Sequence, residues 1–520
     1  MDPKKPSVHN CLVEDDKIRQ VELTDQELTN LEGDVQRIDL DGKTLLPGFH
    51  DSHMHLVEYA YRELFCVNLE KAVSIDDVVF IMKEHIRERK IPEGSWVVGM
   101  GWNHEHFKEK RLLTKEDLDR VSDKHYIFAK RCCIHIAAVN TKMAALCGLK
   151  EEATHGNKNI GLDMNGEING IVYETAINDV VLKHMPPIEE DDLERLILFG
   201  TEKAREAGLT SIQSDDMKAF HDLETKGKIL EIYDKLRNEG KLPVRVTEQL
   251  QIASLAEYDD LRIYLQTIRE DDFFAFGNIK LILDGSLGSG TAAVQRPYKH
   301  VTNNYGKLNF TEEQLDEIVE FCCRSGMRLM CHTIGDAAAE QILRSIEKYQ
   351  NCTGKDFRPR FVHCQILRED QIKRMASIGV YADIQPMFAL TDADIVESKI
   401  DVEASHRLYA WKSLMDAGVG ISGSSDAPVD TFNPLKSIWA AILRRDAADH
   451  VWEPEEKINL DHALQLYTSW PAKTICRENR LGQIKEGYYA DFALVDKDPY
   501  AIPPDEIRYI KVLKTFCGGR

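Results

Sequence analysis

Residues 44–56 read TLLPGFHDSHMHL. The apolar run Thr44–Phe49 leads into a polar tip that carries His53 and His55. In a strand the side-chain period is two, so both imidazoles leave the same face. Downstream, short apolar runs rich in β-branched residues recur at Leu209–Ser214, Val244–Gln251, Ile279–Leu283, Arg328–His332, Arg360–His363, Val380–Gln385 and Val419–Ser422. Helical patterns separate several of them, at Thr311–Ser325, Asp336–Tyr349, Asp370–Ser377 and Asn433–Ala447. Strands alternating with helices imply βαβ units and a parallel sheet. With Thr44–Phe49 the strands number eight, the count that closes into a (β/α)8 TIM-type barrel.

Between the first and second of these strands lie about 150 residues, far beyond an ordinary βα connection. That excess is expected to fold as an inserted α+β domain over residues 69–187, near the active site. Residues 8–43 and 481–515 alternate polar and apolar positions around turn signals such as Glu32-Gly33 and Asp41-Gly42. Both ends are expected to form short antiparallel strands that pair with each other. The expected organisation is a small composite β-sandwich domain from residues 1–47 and 476–520, a barrel from 48–68 and 188–475, and the insertion.

A chain of 520 residues is too long for one small domain. Its 66 Lys+Arg against 87 Asp+Glu give a formal net charge of -21. That charge repels nucleic acid and anionic membrane surfaces, so neither is expected as a partner. No stretch approaches the ~20 apolar residues that span a bilayer. The opening MDPKKPSVHNCLVEDD has no apolar h-region, and a cytoplasmic location is expected. Twelve cysteines are spread along the chain, with neighbours at Cys132-Cys133 and Cys322-Cys323 and no CxxC. Reduced thiols acting as small buried hydrophobes are expected.

Polar residues gather at the C-terminal ends of the proposed strands, where barrel enzymes place their active sites. His53 and His55 follow the first strand. Lys280 lies in the fourth, which ends at Asp284. His332 and His363 end the fifth and sixth, and Asp426 follows the eighth. Imidazoles and a carboxylate meeting at one barrel mouth suit Zn²⁺ or a similar divalent ion with open positions. Taken singly each is weak. With 18 His in the chain, about 0.6 HxH pairs arise by chance, and a second one, His104-Glu105-His106, falls in the insertion and reads as surface or packing. A lone His332 or His363 is more often a core histidine, and Asp426 alone could cap the helix that follows. Their common placement at strand ends favours the metal reading.

The stretch LLPGFHDSHMHL resembles the opening of the amidohydrolase superfamily barrel. GWNHEHF, RCCIHIAAVN, IKLILDGSLGSGTAA, CHTIGDAA, VHCQ, SGSSDAPV and LGQIKEGYYADFALVDKDP then resemble, in order, amidohydrolase family 3, which includes N-substituted formamide deformylases. This resemblance implies His53 and His55 as one metal pair, and His332 and His363 as ligands of a second metal. It implies Lys280 as a lysine that can be carboxylated to bridge two metals, and Asp426 as both ligand and general base. His135 matches a histidine that contacts substrate or its oxyanion, and Asp284 is placed with it as a substrate contact. Several positions depart from the family. Cys132-Cys133-Ile134 stands where Asp-Gly is frequent, Val362 where Glu is common, and Gly290 where Arg is frequent. These departures bear on substrate choice more than on hydrolysis.

The expected activity is hydrolysis of a non-peptide, amide-type C–N bond of a small molecule, such as an N-substituted formamide or related N-acyl compound. Water activated by one or two divalent metals, most simply zinc, would attack. A homodimer is the expected assembly. Two alternatives stand beside this reading: the same barrel acting on an ester or cyclic amide, and a non-catalytic ligand-binding or regulatory protein. Retention of the whole ligand set weighs against the latter. No GxSxG elbow is present, and GSLGSG lacks the Gly-Lys-Ser/Thr ending of a P-loop.

Overall fold

The computed structural model describes residues 7–520, apart from 32, 133–135, 218–222, 300, 302, 350–356 and 402–404. The chain divides into two compact units, one of residues 1–57 with 197–520, the other of residues 58–196.

The larger unit is built on eight parallel strands: β1 Phe49–Met54, β2 Leu209–Ser214, β3 Arg245–Gln251, β4 Phe274–Ile282, β5 Arg328–Thr333, β6 Arg360–His363, β7 Tyr381–Ile384 and β8 Gly420–Gly423. They lie side by side in chain order, from β1 to β8. The two ends of that sheet meet. Ser52 Oγ donates to the Gly423 carbonyl (3.0 Å), and beyond β8 the Asp426 amide donates to the His53 carbonyl (2.9 Å), with the His55 amide on Ala427 (2.7 Å). The sheet is therefore a near-closed barrel, wrapped by helices such as Glu312–Ser325, Asp336–Tyr349, Glu369–Ile378 and Pro434–Leu443.

The first strand differs from its reading in the sequence. Thr44–Pro47 belongs to a separate three-stranded antiparallel sheet, where it pairs with Phe492–Val495, which in turn pairs with Val512–Phe516. Only from Phe49 does the chain enter the barrel, pairing with β2. Pro47 has no N–H to continue a ladder. Gly48 passes so close to Thr210 that an added Cβ would lie 2.2 Å from its Oγ1. One apolar run thus serves two sheets. The same small sheet adjoins the hairpin Cys11–Glu14 and Lys17–Val21, bridged at Lys17 to Tyr489. Ile18, Val21, Tyr488, Phe492 and Phe516 share one core there.

Inside the barrel, side chains of paired residues share a face, and β4 keeps its phase only through a bulge. Glu248 pairs with Phe276, but Gln249 pairs with Asn278, leaving Gly277 as the extra residue at φ 127°. That backbone region is one glycine adopts without a Cβ clash. The bulge puts Asn278 and Lys280 on the face that Gln249 and Gln251 also occupy.

The unit of residues 58–196 holds a six-stranded sheet in the order Cys66–Asn68, Trp96–Trp102, Tyr126–Arg131, Ile136–Val139, Ile168–Tyr173, Ile160–Leu162. Alternation along its strands feeds two cores. Val97, Ile127 and Ala129 join Met82, Trp102 and Phe107 on one side, while Val98, Phe128 and Val139 join Met143, Leu149 and Ile177 on the other. Burial on both faces explains its nearly continuous apolar strands. His104 accepts a bond from Arg131 Nε (3.2 Å) and His106 is exposed. Among the described residues no disulfide joins the cysteines, and no helix is long and apolar enough to cross a membrane.

One buried cation ties the barrel together. Arg360 on β6 is fully buried. Its Nε donates to Asp383 Oδ2 on β7 (2.8 Å), Nη1 to Gln213 Oε1 on β2 (2.6 Å), and Nη2 to the Ser52 carbonyl on β1 (2.9 Å). Ser422 on β8 donates to the other Asp383 oxygen. Removing one member of a buried pair leaves the other charge unmet, at a cost of about 3–5 kcal/mol. Arg360→Met is expected to lower the urea midpoint by that equivalent, and Arg360→Met with Asp383→Leu to recover part of it. Urea curves superimposable on wild type for the single variant would show that the pair does not hold the barrel.

Candidate metal centre

The site grows from the C-terminal end of β1. Asp51 is buried, and its Oδ1 accepts the amides of His53 (3.1 Å) and Ser425 (3.2 Å), pinning β1 to the segment after β8. Burial pushes the Asp51 carboxyl up to about 7, although those bonds work the other way. The same segment delivers Asp426, whose Oδ1 lies 3.3 Å from His53 Nε2 and 3.2 Å from His55 Nε2. Each imidazole is aimed by its other nitrogen: His53 Nδ1 lies 2.9 Å from Gln249 Oε1, and His55 Nδ1 lies 2.8 Å from the Asp215 carbonyl. With an oxygen at each Nδ1, that nitrogen carries the proton and Nε2 keeps its lone pair for the centre.

From the other side come β5 and β6. His363 Nδ1 lies 3.0 Å from Gln385 Oε1, while its Nε2 faces His332 Nδ1 at 3.0 Å. His332 Nε2 lies 3.0 Å from the Gly285 carbonyl and 3.5 Å from Asp284 Oδ1. Phe388 stacks on His363 with ring centroids 6.2 Å apart. His363 (φ 80°) and Asp426 (φ 56°) both sit in the left-handed region, uncommon for residues with a Cβ and typical of functional positions. This turn matters for His363. It pairs with Thr333 rather than with the inward His332, so an extended backbone would point it away from the barrel axis.

Electrostatics complete the picture. Burial, followed by the charge of Lys280, holds the His53 imidazole well below its usual pKa. Burial, followed by His332, does the same for His363. Both rings are neutral near pH 7, the form that binds metal. For Asp426 burial works upward, but hydrogen bonds with His53 and His55 lead the opposing causes, and the carboxyl stays well below the usual range. Burial raises Asp284 to about 7 despite bonds from the amides of Gly335, Ile334 and Ala293 at 2.8–3.1 Å.

Ligand atoms of His53, His363 and Asp426 all lie within 4.8 Å of one another, and all three residues are buried. Two neutral imidazoles with oriented rings and one ionised carboxylate are a donor set that could hold a divalent cation. His55 shares the Asp426 oxygen, and His332 adjoins His363. Lys280 is buried and acts electrostatically on both His53 and His363. Asp284 reaches the group through His332. His135 lies outside the described residues. Residue-type spacing had no way to pick out Gln249 and Gln385, the amides that aim the imidazoles, or Asp51. Their one signal is a polar residue at, or next to, a buried strand. His53→Ala and His363→Ala are each expected to strip bound divalent metal from protein prepared without chelators, read by elemental analysis. Wild-type metal content in both variants would place the centre elsewhere.

The chain matches the amidohydrolase family over residues 36–520. It is 30% identical over 491 residues to YtcJ of Bacillus subtilis (strain 168), an amidohydrolase by name, covering 94% of this chain and 90% of that one. It is 25% identical over 499 residues to the N-substituted formamide deformylase of Arthrobacter pascens, covering 94% and 89%. The crystal structure of an uncharacterized metal-dependent hydrolase from Pyrococcus furiosus superposes with a TM-score of 0.75 at 27% identity, covering 94% of each chain. With a match that takes in all eight barrel strands and the C-terminal end of the chain, this protein belongs to the amidohydrolase family.

Proposed function

We propose that the protein is a metal-dependent hydrolase of a non-peptide, amide-type C–N bond in a small N-acyl compound. The observation that carries this reading is the Asp426 carboxylate, ionised, buried and held at 3.3 and 3.2 Å from the Nε2 atoms of two histidines. The name of the Arthrobacter relative, a deformylase of N-substituted formamides, supports the bond type. His53, His363 and Asp426 would hold a divalent cation, most simply zinc, which would supply a water acidic enough to ionise near neutral pH and a Lewis acid for the scissile carbonyl. Asp426 accepts the proton of that water on a carboxylate oxygen and returns it to the departing nitrogen. Gln249 and Gln385 keep the imidazoles from rotating during this transfer. Asp426→Asn preserves shape but removes the acceptor. Its kcat is expected to fall by at least ~10² with a smaller change in KM. Near-native turnover would move the base to another residue, and hydrolysis of esters in preference to N-formyl and N-acyl amides would overturn the bond assignment.

Lys280 gives this reading a second part. We place it as a carbamate: its neutral amine adds to CO₂, forming an N–C bond and releasing one proton, and the product is an anion with two oxygens. Lys280 is buried on the inner face of β4, and a low-dielectric interior disfavours an ammonium. Lys280→Ala is expected to lose metal and activity, short carboxylates to restore part of both, and bicarbonate to speed wild-type reconstitution. Full metal content and turnover in Lys280→Ala would remove the carbamate and leave the hydrolase reading intact.

A further inference from the structure

At the other end of the strands, the N-terminal mouth of the barrel, a cavity of about 380 Å³ is lined by Thr247, Arg328, Arg477 and Arg480 together with Glu270, Asp271 and Asp272. Its size falls in the range of small-ligand pockets. The acids accept hydrogen bonds from the protein. Glu270 Oε1 accepts the Phe276 amide, Asp271 Oδ1 accepts the amides of Phe273 and Phe274, and Asp271 Oδ2 takes Arg237. Asp272 takes Arg480 Nη1 on one oxygen (3.0 Å) and the Tyr489 hydroxyl on the other.

The arginines are balanced differently. Among the described residues Arg477 donates only to neutral carbonyls, of Asp272 (3.1 Å) and Asp271 (2.6 Å). Arg328 gives its Nε–H to the amide oxygen of Asn278 (2.8 Å). Neither forms an ion pair with a carboxylate of the described residues, in a chain whose net charge is -21. Space is kept for the Arg328 terminus as well: a Cβ on the bulge residue Gly277 would lie 3.2 Å from Arg328 Nη2. Asn278 Nδ2 beside it is buried, with no acceptor among the described residues. Burial lowers the pKa of Arg477, Asp272 opposes that, and Arg480 and Arg245 lower it further, so the cations repel one another where they gather.

We propose that this cavity binds a small multivalent oxyanion of the phosphate class, held by Arg328, Arg477 and Arg480. A guanidinium offers five N–H donors in a planar fork matched to phosphate, and two of these forks have donors to spare. The site lies at the start of β3, β4 and β5, whereas the metal-binding residues follow their far ends, so it is separate from hydrolysis.

The test is calorimetric titration of the full-length protein at constant ionic strength, with inorganic phosphate in one arm and glycerol phosphate in the other. Metal-loaded and chelator-treated protein are both titrated, because a metal centre can itself hold phosphate. Saturable one-site binding that survives chelation is expected, weakened about ten-fold or more in Arg328→Gln and in Arg480→Gln. The exposed Arg480 keeps the test open if Arg328→Gln fails to fold. Tighter binding of inorganic phosphate assigns the free ion, and tighter glycerol phosphate a phosphomonoester. Binding that vanishes with the metal, or equal affinity in wild type and both variants, overturns the proposal.

Discussion

A guanidinium without water around it must be met by protein on every side, and that demand organises this barrel. Arg360 is met by a carboxylate on β7, an amide on β2 and the carbonyl of Ser52 on β1. Ser52 immediately precedes His53. The depth at which the first imidazole stands is therefore set by a charge on the far side of the barrel, not by β1 alone. Gln249 reinforces the arrangement, since its amide nitrogen reaches the Ser52 carbonyl (3.3 Å) and its oxygen reaches His53. Burying such a pair stabilises little by itself, but it penalises any register that leaves the charge unmet.

Much of this was legible in the chain. Leu209–Ser214 and Arg360–His363 are strands at the residues where β-branched and apolar runs put them, and the helix Asp336–Tyr349 matches its pattern end to end. Apolar character alone could not divide Thr44–Phe49, because both sheets want the same residue types and the break rests on a proline and a close approach at Gly48. Period-two counting also fails twice. It points His363 outward, where a left-handed backbone turns it in, and it loses phase in β4, where the bulge at Gly277 restores Asn278 and Lys280 to the inner face. Gln249 and Gln385 stayed hidden for another reason. An amide that orients a ligand has no spacing rule of its own, and only the folded neighbour gives it a role.

The two mouths of the barrel hold different kinds of polar group. At the C-terminal ends, neutral imidazoles and an ionised Asp426 leave an electron-rich cluster suited to a cation. At the N-terminal ends, Arg328 and Arg477 bond to neutral oxygens beside the Arg480–Asp272 pair, so guanidinium donors and carboxylates share one cavity. Polar layers fill the interior between them, with Asn278 shared by the lower layer and Lys280 by the upper on one strand. The acidic chain thus places an imidazole–carboxylate cluster and a guanidinium cluster at opposite ends of a single parallel sheet.

The closing seam of the barrel is sewn by main-chain atoms of residues in and beside the candidate metal centre. The Asp426 amide bonds to the His53 carbonyl, and the His55 amide to the Ala427 carbonyl. Neither bond uses an imidazole or a carboxylate. Replacing those side chains takes no donor or acceptor from either seam bond. The atoms that close the barrel and the atoms of the candidate centre are distinct, although the same residues supply both. Loss of the candidate ligands in a descendant would therefore not by itself unpair the seam.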